Sequence, residues 1–321
     1  MFEGPDRVPV RHSVLPGARM RHGEKLKRLL EEFPQDVKRL GLPMPQREGD
    51  ERSSYGDHWG VTWRATETGE WLGVPVGHPL EDISALSHHH WPDPLKEGDW
   101  EAVEKAIAED KHEHYLLGDG GNLFEVFQWL RGYENALCDL VAGEPHAELI
   151  LDKITDYNIK KVRRFGELGV DAMGFGDDWG TQQDLIINPA LWRKFFKPRY
   201  KRMFDAARSY EAFVHFHSDG SITKIIRDLM ELGVNVLNPQ LPVMDLDWLS
   251  KELKGKVAVR GGLDRQNVLP FGTPEEVRRH VREVFHAFGS KAGGWIGDGE
   301  LNADVPLENA RAMFEAIRNL M

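Results

Sequence analysis

From residue 95 onward, short apolar runs alternate with longer amphipathic ones. HYLLGDG, GVDAMGFGDD, EAFVHFHSDG, GVNVLNPQ, KVAVRGGLD and GGWIGDGELN each pair apolar or β-branched residues with a glycine, amide or acid at the end. That pattern predicts buried parallel strands. Between them, DWEAVEKAIAED, NLFEVFQWLRGYENALCDLV, NPALWRKFFKPRYKRMFDAA and SITKIIRDLMELG carry apolar residues at helical spacing. Asn188 and Pro189 supply an N-cap and a first-turn proline. Thr273 and Glu276 of TPEEV make a capping box. Strand–helix alternation of this kind means βα units around a parallel sheet. Six units follow residue 95, and two more from the first hundred residues would close a (β/α)8 TIM barrel. No G-x-G-x-x-G follows any strand, which argues against an open dinucleotide-binding sheet.

The chain reads as one domain, with an N-terminal extension and cap over 1–94 and the main βα units over 95–321. EKLKRLLEEF predicts a helix in the extension, followed by the proline-rich GLPMPQ. YGDHWGVTWRATETGEWLGVPVGHPL, aromatic and β-branched with interrupting glycines, predicts one or two hairpins over one barrel end.

A formal charge of −11 disfavours nucleic acid and anionic membrane surfaces as partners. Cys138 is the single cysteine, so no disulfide can form within the chain and no site can draw two thiolates from it. No apolar run approaches the about 18 residues of a membrane span, and no signal-peptide core is visible. A soluble, cytoplasmic protein is expected. The ten tryptophans read first as packing residues, and some of them as walls of a pocket for a flat ligand.

In a TIM barrel the chemistry sits at the carboxyl ends of the strands. Those ends carry Asp177, Asp178 and Gln182; His215, His217 and Asp219; Asn238 and Gln240; Arg260 and Asp264; and Asp298, Glu300 and Asn302. One of Asp177 and Asp178 is expected to cap the following helix, leaving the other for function. Asp264 reads equally as a turn residue. The run His88, His89 and His90 reads as a solvated loop, because neighbouring residues of a strand point to opposite faces.

The run HSDGSITKIIRDLMELGVNVLNPQ resembles the uroporphyrinogen decarboxylase superfamily, in which a strand ends in a histidine, a short turn and a glycine. GGLDRQNVLPFGTPEEVRRHV and GGWIGDGELNADVPLENARAM look like its last two βα units, closing on P-x-E-N. GFGDDWGTQ looks like its methyltransferase members, where D-D-x-G-T-Q is frequent. The likeness is good over roughly 110–321 and poor over the first hundred residues. The M-R-Q-A-G-R element of true uroporphyrinogen decarboxylases is missing. The H-x-C-G and later cysteine of the zinc-dependent thiol-methylating branch correspond to His217, Asp219 and, approximately, Glu300.

The resemblance therefore implies the substrate-side methyltransferases of corrinoid O-demethylase systems. Such an enzyme moves a methyl group from a methoxylated small molecule, aromatic or not, to a corrinoid (cobalamin) carried by a partner protein. His217, Asp178 and Asp219 are the candidate catalytic groups. His217, Asp219 and Glu300 are candidate ligands for zinc, as a harder donor set than thiolates. Gln182, Asn238, Gln240 and Arg260 are candidate substrate contacts. The alternative is a carboxy-lyase (decarboxylase) of a smaller acid, which predicts arginines facing the pocket, Arg260 among them. A third reading is a barrel that binds ligand or corrinoid without turnover. Relatives of this kind are monomers or homodimers.

Overall fold

Seven strands run parallel in one curled sheet. They are Val37–Leu40 (β2), Tyr115–Gly121 (β3), Ala172–Gly176 (β4), Phe213–Ser218 (β5), Val236–Pro239 (β6), Ala258–Arg260 (β7) and Trp295–Ile296 (β8), in the spatial order β8-β7-β6-β5-β4-β3-β2. The computed structural model describes residues 4–44, 54–64 and 73–321. The circle closes through the N-terminal segment, which includes the two-residue strand Ser13–Val14 (β1). Gly297 N donates to Pro9 O at 2.8 Å and Arg11 N to Gly297 O at 2.9 Å, while Asp36 N donates to Val10 O at 2.7 Å. One short segment thus bridges the last strand of the sheet and the first, and the expected TIM-barrel architecture is the one found.

All six strands expected after residue 95 are present, and β3 to β7 follow the quoted runs closely. In β8 the run breaks after Ile296, and the chain resumes as Glu300–Leu301, which pairs with β1 in the register Ser13↔Glu300 and Val14↔Leu301.

Two helices predicted as continuous are each divided. Residues 122–141 form Phe124–Arg131 (α1) and Tyr133–Ala142 (α2), parted by Gly132 at φ 79°. Residues 188–207 form Pro189–Phe195 (α3) and Lys197–Arg208 (α4). Pro198, in the first turn of α4, has no N–H to continue the α3 ladder. Asn188 caps α3 by accepting from Ala190 N at 2.8 Å, and the Thr273–Glu276 capping box is formed.

Three antiparallel strands, Ser54–Gly56, Thr62–Arg64 and Val74–Gly77, make the expected cap sheet. Residues 65–72 of that stretch, and 45–46 of GLPMPQ, lie outside the described residues. The cap is fastened to the barrel by aromatic contacts. Trp63 meets Trp129 edge-on at 5.0 Å, and Trp59 meets Tyr157 at 4.6 Å. Among the described residues no helix is long and apolar enough to cross a membrane.

Behind the loop that follows β4 lies an aromatic core. Phe124 stacks on Trp179 at 4.1 Å, and Trp192, Phe196, Tyr200 and Phe204 are fully buried. Burying side chains of this size contributes roughly 2–3 kcal/mol each. Their place here makes the loop carrying Asp177 and Asp178 a fixed support for the site.

Candidate active site

His217 is the centre of the site. It lies in register with Gly176 on β4 and Asn238 on β6. Its Nδ1 pairs with the Asn238 carbonyl oxygen at 3.0 Å, so the ring is anchored on one side and Nε2 is turned to the other. Nε2 stands 3.7 Å from Asp178 Oδ1 and 3.8 Å from Asp219 Oδ1. Among the described residues, Asp178, His217 and Asp219 offer three donor atoms within 4.8 Å of one another.

Two turns hold these carboxylates. Asp219 N donates to Asp178 Oδ1 at 2.9 Å, and Gly180 N donates to Asp219 O at 3.0 Å. The turns cross at Gly180 and Gly220, so closely that a Cβ on either residue would overlap the backbone of the other.

Asp177 takes a structural part, as expected of one of the pair, but on a different helix. It accepts from Leu123 N and Glu125 N at 2.9 Å each and from the Tyr200 hydroxyl, so it caps α1, from the preceding βα unit, and not the next helix. Asp178 is left facing His217.

Glu300 stands apart from the three-residue group. Its carboxylate receives Arg265 Nη1 at 2.8 Å, and Arg265 Nη2 bonds Asp219. Burial pushes the Glu300 carboxyl above its usual range, opposed by Arg265. The donor set the geometry brings together is therefore Asp178, His217 and Asp219, where the sequence suggested His217, Asp219 and Glu300. The physical reason is the break after Ile296, which moves Glu300 into register with Ser13, so that Arg265 bridges it to Asp219.

The expected substrate contacts divide. Arg260 lines the larger of two spaces that His217 borders. Asn238 is a strut, with Nδ2 donating to Arg260 O at 2.8 Å and Oδ1 accepting from the Arg260 guanidinium. Gln240 is another, accepting from Gly220 N at 2.8 Å and donating to Gln266 at 3.2 Å. Gln182 lies on an exposed turn and lines neither site cavity. Asp264 is a turn residue, accepting from the N–H groups of Gln266 and Asn267. His88 and His90 are exposed, and His89 meets Trp91 edge-on.

His217 borders two spaces. One is a crevice of about 60 Å3 with Asp219, Gln240, Arg265 and Glu300. The other is a cavity of about 570 Å3 beneath the cap, whose walls include Trp59, Trp129, Tyr157 and Phe175 together with Arg11, Arg39, Lys161 and Arg260. Some tryptophans thus line a pocket, while Trp179 and Trp192 only pack.

Glu125, also on this wall, was not legible as a site residue, since an acid in a first helical turn is ordinary. Burial, with Asp177 and Asp178 nearby, pushes its carboxyl up to about 9. Burial raises Asp177 too, but its backbone and Tyr200 donors favour the charged form, so the proton of this pair rests on Glu125.

The chain belongs to the uroporphyrinogen decarboxylase (URO-D) family, whose model matches residues 72–320, from the last cap strand through β3 to β8 but without β1, β2 and the closing segment. A uroporphyrinogen decarboxylase from Thermus thermophilus is 27% identical over 53% of this chain and 48% of its own length. The methylcobamide:CoM methyltransferase MtbA from Methanosarcina mazei is 26% identical over 65% of this chain and 60% of its own. The chain spans about half the length of the first curated relatives it matches. A methyltransferase from Methanosarcina mazei has the same fold, with a TM-score of 0.66 at 18% identity over 98% of this chain and 94% of that one. Enzymes of two kinds, methyltransferases and decarboxylases, are therefore among its relatives.

Proposed function

We propose that this protein is a methyltransferase that moves a methyl group from a methoxylated small molecule to the corrinoid of a partner protein. The observation that carries the reading is His217 Nε2, held by Nδ1 anchorage toward Asp178 and Asp219 on the wall of the large cavity. In such a transfer the methyl carbon–oxygen bond breaks as the methyl passes to cobalt, and the leaving oxygen keeps the bonding pair. That oxygen needs a proton or a positive charge.

His217, held by the Asn238 carbonyl with Nε2 facing two carboxylates, is the group that would deliver the proton, and the aromatic walls would orient the donor. Asp178, His217 and Asp219 also suit a divalent ion such as zinc. They supply one imidazole nitrogen and carboxylate oxygens, and the outer ring nitrogen is already committed to a carbonyl, as metal-bound histidines require. A bound zinc ion would supply Lewis acidity at the leaving oxygen. The test is methyl transfer to Co(I) cobalamin across a panel of methoxyaromatics. Absence of turnover by folded, zinc-supplemented protein sinks the reading.

A second reading, decarboxylation of a small acid, is favoured by the arginines of the cavity, Arg11, Arg39 and Arg260. It predicts carbon dioxide release that is lost in Arg260→Ala.

A further inference from the structure

Asp178 and Asp219 both face His217, but they are not equivalent as donors. Asp178 Oδ1 accepts from Asp219 N at 2.9 Å, and among the described residues no lysine or arginine pairs with this acid. Asp219 turns Oδ1 toward His217 Nε2 at 3.8 Å, while its Oδ2 accepts from Arg265 Nη2. The same guanidinium donates through Nη1 to Glu300 at 2.8 Å. Arg265 thus ties the segment after β5 to the segment after β8.

The arginine is held at its base as well as at its tip. Its turn follows β7, and Asp264 braces that turn by accepting from Gln266 N at 2.9 Å and Asn267 N at 2.8 Å. Asp264 N donates to His280 Nε2 at 3.0 Å, on the helix Pro274–Phe288. Next to Arg265, Gln266 accepts from Gln240 Nε2 at 3.2 Å, and Gln240 in turn receives Gly220 N. The turns carrying Arg265 and Asp219 are therefore joined twice. Glu300 is fixed independently, by its register with Ser13. A planar guanidinium engaged on two sides holds the oxygens it meets in place, which a single ammonium does not.

Asp219 cannot turn both oxygens to one ion without giving up Arg265. Carboxylates that chelate through both oxygens serve large, oxygen-seeking ions such as calcium, which take about 6–8 ligands. Zinc takes about four, of which a catalytic site draws about three from the protein. One nitrogen of His217 and one oxygen each of Asp178 and Asp219 make up that smaller set.

We propose that Arg265 is a positioning residue that selects the ion: by holding Asp219 Oδ2 it confines this carboxylate to one ligating oxygen and favours zinc over calcium. The inference rests on the zinc-binding part of the reading above and adds the residue that tunes it.

Zinc and calcium are titrated separately by calorimetry into the wild type, Arg265→Met and Arg265→Lys, with circular dichroism checking the fold. The Arg265 side chain is 28% exposed. In Arg265→Met the ratio of zinc to calcium affinity is expected to fall by at least about tenfold. Arg265→Lys, with no fork, is expected to lose part of the ratio, and it carries the comparison if the methionine variant does not fold. Cobalt(II) in place of zinc reads the coordination directly, since four-coordinate cobalt(II) absorbs visible light strongly and six-coordinate cobalt(II) weakly. The wild type is expected to show the strong absorption and Arg265→Met to lose most of it. An arginine that merely supports the fold would leave the ratio and the spectrum unmoved. An unchanged ratio in a folded variant, with both ions kept or both weakened alike, overturns the inference and leaves the zinc reading standing. Absence of zinc binding by the wild type overturns both. None of these readouts needs methyl transfer, so failure of that activity is a separate result.

Discussion

The His217 imidazole is held by the backbone of Asn238 and not by any acid, with Nδ1 and the carbonyl oxygen 3.0 Å apart. Both carboxylates of the group face the opposite nitrogen. The ring therefore stays oriented even when an acid is removed. His217→Ala is expected to lower methyl transfer by about 10²–10⁴-fold. The side chain is 39% exposed, so the thermal midpoint should barely move. Parallel activity assays and thermal scans check both halves.

Zinc binding separates the two candidate donor sets. By equilibrium dialysis, His217→Ala and Asp219→Asn are expected to lose stoichiometric zinc. Glu300→Gln should retain it, because Glu300 is not one of the three grouped donors. Loss of zinc in Glu300→Gln with retention in Asp178→Asn would reverse the assignment.

Glu125 should make stability pH-dependent. Its carboxyl is raised from 4.5 to about 9, chiefly by burial. The stability contributed by the protonated acid is complete below its unfolded value and disappears as pH rises through the folded one. Glu125→Gln has no proton to lose. Between about pH 5 and about pH 9, the urea stability of the wild type is expected to fall by about 1–3 kcal/mol relative to the variant. Parallel curves would contradict this placement of the proton.

Tyr200 links two buried groups, accepting from Trp179 Nε1 at 3.0 Å and donating to Asp177. Tyr200→Phe fills the same space but strands Trp179 Nε1 and takes one donor from Asp177, which keeps those of Leu123 N and Glu125 N. Such a loss costs about 1–3 kcal/mol, measurable by chemical denaturation.

The crossing of Gly180 and Gly220 predicts a site defect caused at a distance from any reacting atom. Gly220 has φ +73° and abuts the Gly180 backbone. Gly220→Ala should destabilise by about 2–4 kcal/mol and cut activity more than Gln182→Ala, which alters an exposed turn. Equal activity in the two variants would show that the turns can part without cost.

The βα rhythm was legible because each buried strand is a short apolar run and each helix carries its own stop and start, as at Asn188 and Thr273. The barrel's closing segment was not. PVRHSV is short, polar and proline-led, and only its partners, Gly297 and Asp36, make it part of the wall. Strand ends singled out His217, Asp219 and Arg260, which line the two spaces, and Asp178, which faces His217. They could not show that Asn238 and Gln240, which line the crevice, also brace Arg260 and Gly220. Arg265 was hidden in a turn and Lys161 in mid-helix, at positions where solvated cations are commonplace. Glu125 was hidden because its protonation depends on neighbours from other βα units.

The junction of residues 9–14 with Gly297 and Leu301 has a bearing on how the chain matures. The wall beside Asp298 and Glu300 needs a partner that lies 285 residues earlier in the chain, counted from Ser13 to Asp298, and that partner must wait until the intervening residues have emerged. Contacts so distant along the chain form late and slowly. The arginine supplied by that first segment, Arg11, then reaches the cavity only as the barrel shuts. A nascent or frayed molecule would hold an incomplete pocket, and ligand binding would report on closure of the ring as much as on chemistry.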